Sequence, residues 1–290
     1  MNSTEFTAFV FGAEVVARGD TRVVHSELRA ADDTKLVLEV AGDGPPVVFV
    51  HGSNGGLDSW AAVARHLAGY RIVRYARRNH PPSDIGNSPN SFGAEAADLR
   101  CVLNSVAESF GAGAHIVGGS YGATVALYTA VADADRIASL ALFEPPLLLS
   151  GAHLLPVLDR FRQFCADRRY PEALEVFARE VACVPAEVIS ATPITLPSEE
   201  AGRTITASAG ADLEAMAGDG QDVDRWAAIT LPVLLMQGGQ SWSPLPEGMD
   251  RLAQVLPHAQ RVVWPDQSHF ATAMVPERVA EALEEFFAAV

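Results

Sequence analysis

Ser120 lies in the run Gly118-Gly119-Ser120-Tyr121-Gly122, with a glycine two positions to either side of it. A serine hydroxyl is a weak nucleophile near neutral pH and needs a base within hydrogen-bond reach. The G-x-S-x-G spacing suits that chemistry because it marks a sharp strand-to-helix turn. Its small flanks let neighbouring backbone approach, and the serine is held strained and exposed at a helix N-terminus. An imidazole can take and return the proton near neutral pH. Of the eight histidines, His269, in the late loop Pro265-Asp266-Gln267-Ser268-His269-Phe270, is the best placed.

These groups need elements to hold them. Residues 114–119 read as a buried strand entering the turn, and 121–131 as the helix leaving it. Upstream, Pro46-Val47-Val48-Phe49-Val50 is an uninterrupted apolar run, the pattern of a strand buried on both faces of a parallel sheet. It leads into His51-Gly52, the loop Ser53-Asn54-Gly55-Gly56 and a helical pattern over 57–67. Before it, 22–29 and 34–41 alternate and predict an antiparallel hairpin. After it come a strand at 70–75, a polar loop at 77–84, a helix at 92–110 and a strand at 137–143 that closes with Glu144-Pro145-Pro146. Such alternation predicts an α/β fold with a doubly wound, mostly parallel sheet, in which ligands bind at the carboxyl ends of strands. Ser53, Ser120 and Glu144 all fall at such ends.

From 146 to 229 the rhythm breaks into helical stretches at 154–168 and 171–181, then a glycine- and serine-containing stretch without strand signal. We expect a helical lid there, inserted after the strand ending at Phe143. The rhythm resumes with a strand at 231–237, a helix at 247–255, a strand at 260–264 and an amphipathic helix at 276–287. The organisation expected is thus a core of 1–145 and 230–290 with a lid of 146–229.

The net charge of −15 argues against nucleic acid or an anionic membrane surface as partner, since both need a basic face. The partner expected is a small molecule. Cys101, Cys165 and Cys183 form no C-x-x-C pair and read as buried small hydrophobes, with no metal site and no cofactor implied. The start, Met1-Asn2-Ser3-Thr4-Glu5, has no basic region before the apolar run at 8–11, so neither a secretory leader nor a membrane span is expected, and the location expected is cytoplasmic. The sequence carries no signal for oligomeric state.

From about residue 34 onward the chain resembles the α/β-hydrolase family, in its serine-nucleophile branch with a helical lid. Three motifs in order carry the resemblance: His51-Gly52, the Gly118 to Gly122 elbow, and the late loop with His269. It implies an eight-stranded type of sheet, Ser120 as nucleophile and His269 as general base. It also implies an oxyanion hole from the backbone N–H groups of Ser53 and Tyr121. The third member departs from the commonest pattern, because Gly238-Gly239-Gln240-Ser241-Trp242-Ser243-Pro244 contains no carboxylate. Glu247 and Asp250 fall in the following helix, poorly placed to reach the histidine. Some members carry the acid after the strand that follows the elbow helix, and Glu144 occupies that position. Its role would be to accept the other imidazole N–H. A carboxylate before Pro-Pro can equally cap the first lid helix, and that reading stays open.

Other residues are read more plainly. Asn54 and Trp242 are expected at the substrate, and Trp60 either there or in ordinary packing. His51 is expected to make structural hydrogen bonds, His115 to start a strand, and His80 and His258 to sit in exposed loops. Asp266 reads as a turn former. The function expected is a cofactor-independent serine hydrolase that cleaves a small or medium ester, thioester or lactone through an acyl-enzyme. The alternatives are carbon–carbon bond hydrolysis, a non-hydrolytic lyase, cyclase or ligand-binding protein on the same fold, and a thioesterase serving a multi-enzyme synthase.

Overall fold

The computed structural model describes residues 14–18, 21–111, 113–191 and 194–290. The start of the chain, where a leader was sought, lies outside the described residues. One sheet of nine strands organises the fold, in the order β1-β2-β3-β5-β4-β6-β7-β8-β9. Strands β1 (Glu14–Arg18), β2 (Thr21–Arg29) and β3 (Lys35–Ala41) form an antiparallel meander, and β3 also pairs antiparallel with β5 (Arg71–Tyr75). From β5 the sheet is parallel through β4 (Pro46–Val50), β6 (Ala114–Gly119), β7 (Ile137–Phe143), β8 (Val233–Gly238) and β9 (Gln260–Trp264). Strands β2 to β9 are the eight expected, and β1 adds a ninth at the edge.

The apolar runs are the central strands: every residue of β4, β6 and β8 is buried. Helices cover both faces. One core layer lies under α2 (Phe92–Phe110) and α3 (Tyr121–Ala132) and includes Val48, Ile116, Leu99 and Val125. The other includes Phe49, Val117 and Leu234, with Val63 of the short α1 (Ala61–Ala64) and Leu283 of the last helix. The helix expected over 57–67 is thus only one turn. Its flanks close as tight turns such as His66 N–H to Val63 O at 3.0 Å. Ser91 caps α2 by accepting from the Ala94 N–H at 3.1 Å, and Gly111, at φ 70°, ends it in the left-handed conformation that glycine adopts most cheaply.

Between β7 and β8 the described residues are mostly helical, with α4 (Leu155–Ala166), α5 (Tyr170–Val176) running into a π-helical turn (Phe177–Val181), α6 (Ala186–Ala191) and α7 (Glu199–Ala217). Helix α7 is the element the sequence hid, since its buried face is made of Gly202, Thr206, Ser208, Ala209 and Asp212 as much as of Leu213 and Met216. After β8 follow α8 (Leu245–Val255), then β9, α9 (Ala271–Met274) and α10 (Pro276–Ala288). No helix among the described residues is long and apolar enough to cross a membrane. The three cysteines are free and half-buried, less enclosed than expected.

Candidate active site

Ser120 follows the central strand β6 and begins α3 at φ 51°, ψ −122°, a positive φ that a side chain rarely adopts. The turn closes tightly around it. A Cβ on Gly118 would lie 2.7 Å from the Gly122 carbonyl oxygen, and one on Gly122 would lie 2.3 Å from the Val50 oxygen. Only hydrogen fits at either position, which is the physical content of the G-x-S-x-G spacing. On the outer side Trp60 fills the space against Gly119 and donates its indole N–H to Val50 O at 3.2 Å. Trp60, 4% exposed, is therefore packing under the turn.

Register sets the next group. Gly119 pairs with Phe143, so Glu144, one residue beyond β7, leaves the sheet beside Ser120. Its carboxylate is completely buried. Glu144 Oε1 accepts the Gly238 N–H at 2.9 Å, and Oε2 lies 2.5 Å from His269 Nδ1. With a carboxylate at Nδ1, that nitrogen carries the proton and Nε2 presents its lone pair. The late loop reaches this point because Gly238 lets it close in, a Cβ there meeting the Ser268 backbone at 2.6 Å. His269 remains 18% exposed, flanked by Phe143 and Trp242 with ring centroids 5.7 and 5.6 Å away.

The carboxylates that the commonest pattern would favour lie elsewhere. Glu247 and Asp250 both belong to α8, where Glu247 accepts from Ser243 Oγ at 2.8 Å and Asp250 pairs with Arg261. Asp266 pairs with Arg278, which together with its hydrogen bonds holds its carboxyl down at about 2.

On the other side of Ser120, β4 ends at His51-Gly52. Gly52 packs against the elbow, where a Cβ would lie 3.2 Å from the Ser120 Cβ. Among the described residues neither the Ser53 nor the Tyr121 N–H has a backbone acceptor, as expected of a loop and of the first turn of a helix. Asn54 is exposed at φ 56°, and Trp242 is half-buried with its indole N–H donating to Ala182 O at 2.8 Å, a tie to the helical insertion.

His51 is structural, as read from sequence. Its Nδ1–H donates to Gly52 O at 2.8 Å and its Nε2 accepts the Arg77 N–H at 3.0 Å. Burial, then the neighbouring Arg77 cation, pushes its pKa well below the usual histidine value. His80, expected in an exposed loop, is instead 1% exposed, its ring 4.8 Å from that of His51 and its Nε2 beside Asp212 and Arg77. The loop at 77–84 folds inward because its charges meet buried partners far along the chain. Arg77 pairs with Glu95 at 2.6 Å and Asp212 at 2.9 Å, and Arg78 with Asp98 at 2.6 Å. Asp212 and Glu95 were not singled out from sequence, and no local pattern would have marked them. His115 does begin a strand, in β6, bonded to Ser139 Oγ at 2.8 Å. Among the described residues no group of three or more His, Cys, Asp or Glu could hold a metal ion.

Comparison with known proteins agrees with this architecture. The chain is 28% identical over 145 residues to an uncharacterised hydrolase, YraK, of Bacillus subtilis, covering 49% of this chain and 52% of that protein. It therefore spans about half the length of that relative. A non-heme haloperoxidase of Rhodococcus erythropolis is 26% identical over 259 residues, covering 83% of this chain and 91% of that one. The crystal structure of an α/β hydrolase from Sphaerobacter thermophilus superposes with a TM-score of 0.77 at 27% identity, covering 90% of this chain and all of that one. The α/β hydrolase fold family model matches residues 45–272, from the start of β4 into α9. With both the sheet order and the family match in agreement, the chain belongs to the α/β-hydrolase fold family.

Proposed function

We propose that the protein is a cofactor-independent serine hydrolase that cleaves a small or medium ester, thioester or lactone through an acyl-enzyme. One observation carries the reading: a fully buried carboxylate, Glu144, stands 2.5 Å from His269 Nδ1, one residue beyond the strand that neighbours the one leading into a strained serine. Family membership and the hydrolase relatives support hydrolysis in general. Ser120 attacks the carbonyl carbon while His269 Nε2 takes its proton. The Ser53 and Tyr121 N–H groups stabilise the oxyanion, each contributing roughly 3–4 kcal/mol where such donors have been removed elsewhere. The tetrahedral adduct collapses as the bond to the leaving oxygen or sulfur breaks, and that atom takes the proton from His269. The alcohol or thiol departs or, from a lactone, stays tethered to the acyl group. Water then gives its proton to His269 and attacks the acyl carbon, and the second tetrahedral adduct breaks its bond to Ser120 Oγ, which takes that proton back as the acid is released. Glu144 orients the ring and stabilises the imidazolium. Asn54 and Trp242 line the substrate side, and residues 146–229 serve as a lid on the core of 1–145 and 230–290.

The haloperoxidase relative favours a second reading of the same groups, in which hydrogen peroxide takes the place of water at the acyl-enzyme and leaves as a peroxy acid. Both readings require an activated serine. Intact mass after exposure to a fluorophosphonate probe checks this, with Ser120→Ala as control. The expected result is a single adduct on the wild type and none on the variant, and a folded wild type without an adduct removes both readings. Release of acid with and without hydrogen peroxide separates them.

A further inference from the structure

Arg77 opens the loop after β5, is 1% exposed, and has no part in the chemistry above. Its guanidinium is fully committed. Nε donates to His51 O at 3.0 Å, Nη1 to Glu95 Oε2 at 2.6 Å and Asp212 Oδ1 at 3.0 Å, and Nη2 to Asp212 Oδ2 at 2.9 Å and Gly52 O at 3.3 Å. Gly52 O also accepts from His51 Nδ1 at 2.8 Å, and that ring is itself held by the Arg77 backbone N–H. A peptide is planar and trans, so the Gly52 carbonyl and the Ser53 N–H point opposite ways along one rigid unit. Donors that fix the carbonyl thereby aim the N–H, and they also polarise it.

The same cation reaches the second oxyanion residue. Its Cζ lies 4.3 Å over the Tyr121 ring, and the Tyr121 hydroxyl donates at 2.7 Å to Glu95, a carboxylate Arg77 also binds. We infer that Arg77 is a positioning residue for the oxyanion hole, setting the Gly52–Ser53 peptide and the Tyr121 side chain. In this arrangement Asp212 of α7 orients its guanidinium. The inference rests on the serine-hydrolase reading and adds a part for the helical insertion: a carboxylate at position 212 helps to shape a hole built by 52–53 and 121. A lysine would keep the charge but could not supply the planar fork.

The test compares wild type, Arg77→Lys and Asp212→Asn on 4-nitrophenyl acetate. Phenylboronic acid serves as transition-state analogue, acetate as product ligand, and fluorophosphonate titration counts working sites. Per titrated site, kcat is expected to fall on the order of ten- to a hundredfold with KM within about twofold, short of the full loss of one oxyanion donor. Phenylboronic acid should weaken by the same factor as kcat/KM, with acetate binding unchanged. A purely structural role would instead reduce the number of titrated sites and the Tm while each remaining site kept the wild-type kcat and boronate affinity, and that result overturns the inference. If Arg77→Lys does not fold, Asp212→Asn carries the same expectations. A wild type that neither turns over the ester nor labels at Ser120 defeats the hydrolase reading itself, whereas an active wild type matched by its variants defeats only the positioning role.

Discussion

Two buried polar clusters flank Ser120, and they are built to opposite ends. On one side a single carboxylate, Glu144, faces a single imidazole, His269, that is still 18% exposed. On the other, Arg77 is saturated by Glu95, Asp212 and the His51 and Gly52 carbonyls that follow β4, with none of the three side chains more than 1% exposed. The first keeps an exposed edge that a small molecule can reach. The second is closed to solvent: burial disfavours its ions, yet Arg77 outweighs burial at Asp212 and holds that carboxyl well below the usual carboxylate range, while Asp212 and Glu95 raise Arg77. Under the proposed mechanism the open pair meets the substrate and the closed cluster holds the backbone that faces it.

Changing one group on each side should separate their roles. Glu144→Gln should cost the most activity, on the order of 10³–10⁴-fold in kcat, because the amide removes the negative partner of the imidazolium and disturbs the tautomer. Steady-state kinetics against Glu247→Gln, expected within about twofold of wild type, checks it. Equal losses would mean that Glu144 is not the acid. Arg77→Ala should lower stability by about 3–5 kcal/mol in urea unfolding, since it strands buried carboxylates. A smaller loss would show that water or rearrangement replaces the guanidinium.

The buried histidines give stability a pH dependence. The folded-state pKa of His51 is depressed, so below about 6.5 the unfolded chain binds a proton that the native state refuses. Stability should therefore decline as pH falls through that value, by up to about 1.4 kcal/mol per unit for each such histidine. His115, depressed by burial, adds to the same slope. Asp212 contributes stability that is present above about pH 4, the unfolded value, and is lost only as pH falls toward its depressed native one. Urea titrations at pH 7 and 5.5 measure the histidine part, and His51→Gln should flatten it. An unchanged slope would mean that His51 is not the group responsible. Trp242→Ala should have the smallest effect, shifting KM by a few-fold with kcat nearly constant, as expected of a wall of the pocket. A large kcat loss would place Trp242 in the support of His269.

What the sequence disclosed followed its local patterns. The apolar runs marked β4, β6 and β8, and the glycine spacing marked the elbow, because these are constraints between near neighbours. The hairpin was legible, while β1 was not, as a five-residue strand that relies on its partner. Helix α7 was lost because glycine, serine and threonine on its buried face dilute the apolar period. The Arg77 cluster was illegible for a different reason: its bonds span 18 to 135 residues, and a polar loop with His80 in it looks solvated until its distant partners are known. The Glu144 position came from family resemblance, and the geometry of its carboxylate from register.

The adjacency of β6 and β7 has a further consequence for how such an enzyme could be altered. Under the proposed mechanism, with Glu144 bonded to Gly238 and His269, the turn after β8 carries no proton-transfer duty. Its partly exposed stretch at 240–244 touches the insertion through Trp242 and Ala182. Under the proposed mechanism this makes it a module for redesign: its length and side chains can be diversified to select new substrates while the reacting groups keep their alignment, an evolutionary freedom that a chain with its acid in that turn would not have.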